Sequence, residues 1–161
     1  MDISDIVSRL SAKGFTVATA ESCTGGLIAS TIVDVPGASD CFNEGYVTYS
    51  NEAKMKNLGV KDNTLMVHGA VSPQTVIEMA KGVRKRAASD FGISSSGIAG
   101  PGGGSPKKPV GLVYVGCAFG DDECKVLELH LKGNRTEVRK AATEKALELL
   151  SDCLYEIEEA N

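Results

Sequence analysis

Segments typical of β-strands alternate along this chain with segments that have the apolar spacing of helices. Turn-forming glycine, proline or asparagine residues separate the two kinds of segment. We predict strands at 15–20, 45–50, 92–99, 110–119 and 124–131. We predict helices at 3–13, within 26–33, between Asn51 as cap and Gly59, from Ser72 to residue 87, and after the capping pair Asn134 and Glu137. This alternation is typical of a sheet covered by helices.

The connection between the last two predicted strands determines the kind of sheet. Residues 120–123 form a polar tetrad suited to a hairpin, so these strands should be antiparallel, whereas strands joined through helices should be parallel. We therefore predict an α/β protein: a three-layer α/β/α sandwich with a mixed sheet of four to six strands. With 161 residues, the chain is long enough for one core, so residues 1–161 are predicted to form a single domain.

The composition excludes several classes of protein. No run approaches the roughly 18 apolar residues of a membrane helix, and the acidic, amphipathic N-terminus does not resemble a signal peptide. The five cysteines lie far apart and form no CxxC pair, which indicates neither a disulfide framework nor a zinc site. These features predict a cytoplasmic protein without a membrane partner.

The charged residues and histidines make metal and nucleic acid poor candidates as ligands. His68 and His130 are the only histidines and are isolated in sequence, so we expect no metal centre. The net charge is −4, and the one basic cluster, Arg84 to Arg86, lies among helix-forming residues and is typical of a solvated face. We therefore expect no nucleic-acid partner.

Three polar, glycine-rich turns are candidates for a ligand site. The first is at 20–30, where Ser22 and Cys23 stand between a predicted strand and a predicted helix. Free main-chain N–H groups at such a helix start stabilise anions, including the oxyanion of acyl transfer. The alternative is an ordinary capped turn.

The second turn, at 45–59, places Tyr49 at a predicted strand end and Lys54 about three residues after Asn51. A lysine near a helix N-terminus is disfavoured as a cation and so is favoured as a neutral base. Serine–lysine pairs are a recognised alternative to the Ser-His-Asp arrangement. The competing interpretation is an exposed lysine and a strand-end aromatic.

The third turn, at 96–111, has the most unusual composition of any segment in the chain. Residues 96–103 alone contain four glycines and one proline. Neither GxxxxGK[ST] nor GxGxxG occurs in it, so it supports no ATP or NAD site. It is either a mobile flap, a rigid pocket wall with Lys107 or Lys108 near an anion, or a flexible tether.

Six blocks of this sequence together resemble the CinA C-terminal domain family. They are ESCTGG (21–26), VPGAS (35–39), GYVTYSNEAK (45–54), GAVS (69–72), GIAGPGGGSPKKPVG (97–111) and GNRTEVR (133–139). Their order and spacing match the family across essentially the whole chain. The fusion partner found in longer members is absent from this sequence, so the resemblance does not extend to that partner's activity.

The resemblance implies a nicotinamide-nucleotide amidase that converts nicotinamide mononucleotide and water into nicotinate mononucleotide and ammonia, as a step in pyridine-nucleotide recycling. It implies Ser22 as nucleophile, with Tyr49 and Lys54 as its activating partners, and no cofactor. Cys23 is a rival nucleophile because thiolates react well and a helix start lowers their pKa.

The resemblance also implies a set of substrate-binding positions. For the phosphate we expect main-chain donors of residues 100–104 together with Arg135, whose fork-shaped guanidinium suits phosphate. The family usually has threonine where this chain has Ser96, so the hydroxyl is kept and a methyl group is lost. The expected binding residues are Glu21, Cys23, Thr24, Gly25, Gly26, Ser96, Gly100, Gly102, Gly103, Gly104 and Arg135.

Two other functions stay open at this point. The same loops could hold a pyridine nucleotide in a non-catalytic binding module, or the chain could be an amidase for another small amide. The apolar stripe of the last helix would serve a homodimer or higher homo-oligomer, but such a stripe is equally expected of a helix packed on its own sheet.

Overall fold

The computed structural model describes residues 1–161 and contains one five-stranded mixed sheet. The strands are β1 (Val17–Glu21), β2 (Phe42–Val47), β3 (Phe91–Gly97), β4 (Leu112–Phe119) and β5 (Glu123–His130). Their order across the sheet is β2-β1-β3-β4-β5. β1 runs parallel to β2 and β3, while β4 is antiparallel to both β3 and β5. The predicted mixed sheet is confirmed.

Six α-helices cover the two faces of this sheet. They are α1 (Ile3–Lys13), α2 (Leu27–Val33), α3 (Asn51–Leu58), α4 (Asp62–His68), α5 (Pro73–Ala87) and α6 (Arg135–Ala160). Buried residues of α1, α2 and α6 share one core with the sheet, and those of α3, α4 and α5 share the other. The predicted three-layer sandwich is confirmed. None of these helices has the length and apolar character needed to cross a membrane.

The position of each strand explains its hydropathy pattern. Every residue of the interior strand β1 is buried, because helices cover both of its sides. The edge strands β2 and β5 instead alternate between more and less exposed residues, as expected where one face meets solvent.

Several predicted boundaries differ from the structure. β2 begins at Phe42 rather than at residue 45, because Phe42 pairs with Val17 of β1. The chain leaves the sheet after Val47, and Ser50 rather than Asn51 caps α3 by accepting a hydrogen bond from the Ala53 N–H. β1 and β3 are shifted by one or two residues from their predictions. α4 is a short helix that the apolar spacing of the sequence does not predict.

Other local predictions are confirmed. Ser72 caps α5 with Pro73 as its first residue, and Asn134 with Glu137 forms a capping box at α6. The turn after β4 joins it to β5 as a hairpin. The two helix caps and the hairpin could be predicted from the sequence because each depends on residues that are close in sequence.

The strand order fixes where a ligand site can form. From β1 the chain passes to β2 on one side, and β3 then returns to the other side of β1. The carboxyl ends of these three parallel strands therefore diverge around one crevice, which is where open α/β sheets bind ligands. Ser22 follows β1 and Ser96 lies near the end of β3, so both face this region.

Candidate active site

Ser22 and Lys54 lie side by side at the end of β1. The Lys54 Nζ is 3.1 Å from the Ser22 Oγ, although 32 residues separate them in sequence. The first turn of α3 carries Lys54 towards the sheet and buries its side chain completely. The interpretation of Lys54 as an exposed surface lysine is therefore wrong.

The surroundings of the Lys54 amine favour its neutral form. Burial lowers the pKa of Lys54, and no carboxylate forms a salt bridge with it. The Nζ lies 2.8 Å from the Thr48 carbonyl oxygen and 3.3 Å from that of Tyr49. A neutral amine has two N–H groups, which these carbonyls can accept, and its lone pair then faces the Ser22 hydroxyl. The arrangement suits proton transfer from Ser22 to Lys54.

Glu21 occupies the main-chain donors at the start of α2. Its carboxylate accepts hydrogen bonds from the N–H groups of Gly26, Ile28 and Ala29 and from the Thr24 hydroxyl. The expectation that this helix start offers free donors to a ligand is therefore wrong for these positions. Glu21 is fully buried, and the structure gives it the role of a helix cap.

Replacement of Glu21 with glutamine is expected to destabilise the fold. The amide keeps the shape but loses the charge and one acceptor, so buried N–H groups are left without a partner. We expect the free energy of unfolding to fall by about 2 kcal/mol, measured by urea denaturation. The exposed Glu144→Gln on α6 removes the same charge and should stay within ~0.5 kcal/mol of the parent. Equal stabilities of the two variants would contradict this role of Glu21.

Two main-chain N–H groups of the turn remain without a protein acceptor. The Ser22 N–H donates to the Ser95 carbonyl and that of Gly25 to the Ser22 carbonyl. The N–H groups of Cys23 and Thr24 donate to no other residue of the protein. They follow the Ser22 hydroxyl directly, the position at which an oxyanion develops after serine attack.

A cavity of about 200 Å³ opens beside the Ser22–Lys54 pair. It combines polar groups on one side with small apolar side chains on the other, as is common for small-molecule sites. Its lining comprises Ser22, Cys23, Tyr49, Lys54, Ala70, Val71, Ser96, Gly97, Ala99 and Arg135. A larger open groove of about 870 Å³ lies elsewhere and contains neither Ser22 nor Lys54. We take the smaller cavity as the candidate site because Ser22 and Lys54, the candidate nucleophile and its candidate base, both line it.

Cys23 lines the cavity but is a poor nucleophile there. Burial raises the pKa of its thiol to about 11, which keeps it protonated at neutral pH. The thiol therefore serves as a small apolar side chain, and Ser22 is the better candidate for attack.

Tyr49 contacts Lys54 through its main chain rather than through its hydroxyl. The Tyr49 side chain is largely exposed, and its hydroxyl accepts a hydrogen bond of 3.3 Å from Arg135. Arg135 also donates to the Gly100 carbonyl oxygen at 2.8 Å. Residues from three distant segments thus meet at the mouth of the cavity.

The remaining predicted binding residues separate into two groups. Ser96 is 1% exposed, lines the cavity and forms no side-chain hydrogen bond within the protein, so its hydroxyl is available to a ligand. Gly100 holds Arg135, but Gly102, Gly103 and Gly104 are exposed and do not line the cavity. The structure does not bring these three glycines to the site.

Sequence reasoning missed one residue that contacts the turn. Arg139 donates to the carbonyl oxygens of Cys23 and Thr24 at 2.9 and 3.1 Å. Its spacing of four residues from Arg135 places both on one face of α6, which is a signal that the sequence contained. No group of three or more His, Cys, Asp or Glu side chains is arranged to hold a metal ion.

Fold and site together define a three-layer α/β/α protein with a buried serine–lysine pair at the switch point of its sheet. Residues 3–154 match the CinA C-terminal domain. The chain belongs to this family.

Individual relatives agree with this assignment. A protein of Caldanaerobacter subterraneus subsp. tengcongensis, whose name describes it as competence-damage inducible, is 62% identical over 134 residues, covering 83% of this chain and 32% of the relative. A CinA-like protein of Kosmotoga olearia is 52% identical over 149 residues, or 92% of this chain and 36% of the relative. The chain spans about a third of the length of the curated relatives it matches.

A crystal structure shows the same domain as nearly the whole of another chain. The competence/damage inducible protein of Agrobacterium tumefaciens superimposes with a TM-score of 0.89 at 42% identity, covering 96% of this chain and 96% of that one. The described fold is thus the fold of this solved relative.

Proposed function

We propose that this protein is an amidohydrolase that converts nicotinamide mononucleotide to nicotinate mononucleotide and ammonia. The observation that carries the proposal is the contact of 3.1 Å between the Ser22 Oγ and the buried Lys54 Nζ at the edge of a cavity. This pair suits acyl transfer. The choice of the nucleotide as substrate rests on the family resemblance.

The first half of the proposed reaction forms an acyl-enzyme. Lys54 takes the proton of the Ser22 hydroxyl while the Oγ attacks the carboxamide carbon. The resulting oxyanion lies against the unpaired N–H groups of Cys23 and Thr24. Lys54 then returns the proton to the amide nitrogen, the C–N bond breaks, and ammonia leaves.

The second half repeats these steps with water. Lys54 takes a proton from a water molecule, the hydroxide attacks the nicotinoyl ester, and Ser22 leaves with the proton returned by Lys54. The products are a carboxylic acid and the free serine. Tyr49 contributes by holding Lys54 through its carbonyl oxygen and Arg135 through its hydroxyl, instead of by relaying a proton.

The cavity lining supports a nucleotide with an aromatic amide. Ala70, Val71 and Ala99 provide the apolar wall for a ring, and the Ser96 hydroxyl is available for a polar group. Arg135 lies at the mouth without a carboxylate partner and can bind a phosphate. The substrate would thus enter with its amide towards Ser22 and its phosphate towards Arg135.

The direct test is turnover by the purified protein in the presence of a metal chelator. With nicotinamide mononucleotide we expect equal amounts of ammonia and nicotinate mononucleotide, measured by chromatography and an ammonia assay. Nicotinamide riboside, which lacks the phosphate, should give a KM higher by about tenfold or more because the contact with Arg135 is lost.

The substrate panel also distinguishes the two other functions. Binding of the nucleotide without release of ammonia would favour a non-catalytic pyridine-nucleotide-binding module. Faster turnover of an unrelated small amide would keep the chemistry of Ser22 and replace the substrate. Either result would overturn the proposed function.

A further inference from the structure

Arg139 is a cation on α6 that donates hydrogen bonds to the turn following β1. It lies one helical turn after Arg135 on α6, and its Nε and Nη2 donate to the carbonyl oxygens of Cys23 and Thr24. No carboxylate forms a salt bridge with this guanidinium. Its two hydrogen bonds join the longest helix to the residues directly after the candidate nucleophile.

Gly25 allows this close approach. A Cβ atom at Gly25 would lie 3.0 Å from the Arg139 Nη2, and the φ angle of +58° is one that side-chain-bearing residues rarely adopt. A residue with a side chain would push the guanidinium away from the turn. The contact between Arg139 and the turn therefore depends on glycine at position 25.

Because the peptide bond is planar, the contact between Arg139 and the Cys23 carbonyl also fixes the direction of the Thr24 N–H. In a trans peptide the C=O and N–H bonds point in opposite directions. The Thr24 N–H belongs to the same peptide as the Cys23 carbonyl, so Arg139 fixes this N–H on the side away from α6. The Ser22 carbonyl, held by the Gly25 N–H, fixes the Cys23 N–H in the same way.

We propose that Arg139 is a positioning residue for two oxyanion donors. It orients the Thr24 N–H directly, through the Cys23 carbonyl, and the Cys23 N–H indirectly, because the Thr24 carbonyl that it binds shares a peptide with the Gly25 N–H that holds the Ser22 carbonyl. This inference rests on the proposed amidohydrolase function. Arg139 touches neither substrate nor the reacting atoms: it acts through the three peptides that join Ser22 to Gly25. Its positive charge also opposes that of the buried Glu21 carboxylate in the same turn, and it favours the negative charge that develops during attack.

The test compares Arg139→Lys and Arg139→Met with the parent and with Lys140→Met. Lys140 is the next residue on α6, is exposed, and serves as the control for loss of one positive charge. Arg139→Lys keeps the charge but cannot donate from a planar fork to two carbonyls. We expect kcat to fall about 10- to 100-fold in both Arg139 variants with KM within about twofold of the parent.

A second measurement separates orientation of the donors from general damage to the fold. In the aldehyde analogue of the nucleotide, Ser22 adds to the carbonyl carbon, its proton passes to Lys54, and an oxyanion remains on the former carbonyl oxygen. The affinity for this analogue should fall by the same factor as kcat/KM, while the affinity for nicotinate mononucleotide stays within about twofold. Lys140→Met should match the parent in every measurement.

Three results would overturn the proposal. Unchanged kcat in Arg139→Lys and Arg139→Met would mean that the N–H groups need no positioning by Arg139. A parallel loss of affinity for the aldehyde and the acid would indicate a structural role only. A parent that shows no turnover would overturn the amidohydrolase function and this inference with it, whereas an active parent with active Arg139 variants would overturn this inference alone.

Discussion

Replacing Ser22 with alanine is expected to lower kcat for nicotinamide mononucleotide by about 10³-fold or more. The alanine variant cannot form the acyl-enzyme, and no neighbouring group replaces the hydroxyl, because the Cys23 thiol has a pKa raised to about 11. Stability should change little, since the Ser22 Oγ has Lys54 as its only hydrogen-bond partner. Release of ammonia in a stopped assay measures the effect.

Cys23→Ala is the matched control for this prediction. It removes the adjacent nucleophilic side chain of similar size from the same turn and leaves Ser22 with Lys54 intact. We expect its kcat to stay within about threefold of the parent, as for a packing change at the cavity wall. If Cys23→Ala were the inactive variant and Ser22→Ala the active one, the assignment of the nucleophile would be wrong.

Replacing Lys54 with methionine is expected to lower kcat/KM by about 10²- to 10⁴-fold. Methionine has a similar length and fills the buried space, but it cannot accept the serine proton. In the parent, kcat/KM should rise with pH as Lys54 loses its proton at its lowered pKa. The residual activity of Lys54→Met should lack this rise. Lys56→Met, an exposed position on the same helix, should keep both the rate and the pH profile.

The same group makes the stability of the parent depend on pH. Burial lowers the pKa of Lys54 in the folded chain, while the unfolded chain keeps the ordinary value near 10.5. Between these two pKa values the unfolded chain binds more protons, so the free energy of unfolding rises with pH in this window. The stability of the parent relative to Lys54→Met should therefore increase as the pH approaches 10.5. A constant difference between the two would show that Lys54 keeps its ordinary pKa.

The layers of the fold were predictable because their signals are local. The apolar stripe of α5, the cap at Ser72 and the hairpin after β4 each depend on residues within one segment. The start of β2 at Phe42 was missed because its pairing with Val17, 25 residues earlier, decides it. Neither segment contains this information alone.

The candidate site also combines features that follow from local sequence with contacts between distant segments that do not. The placement of Lys54 near a helix start suggested a neutral base, and the structure places its Nζ beside the Ser22 Oγ. The capping role of Glu21 could not be derived from the sequence, since its carboxylate bonds to N–H groups up to eight residues ahead. Nor could the contact of Arg139 with Cys23, which crosses 116 residues.

The distribution of the site over the fold has a consequence for how its selectivity can change. Ser22 and Lys54 are held by the interior of the sandwich, whereas Arg135 and Tyr49 are exposed at the rim. Under the proposed amidohydrolase function, substitutions at the rim would therefore change which amide is bound while the Ser22–Lys54 pair stays the same. Within one fold, the residues that select the ligand can therefore change independently of the buried serine and lysine.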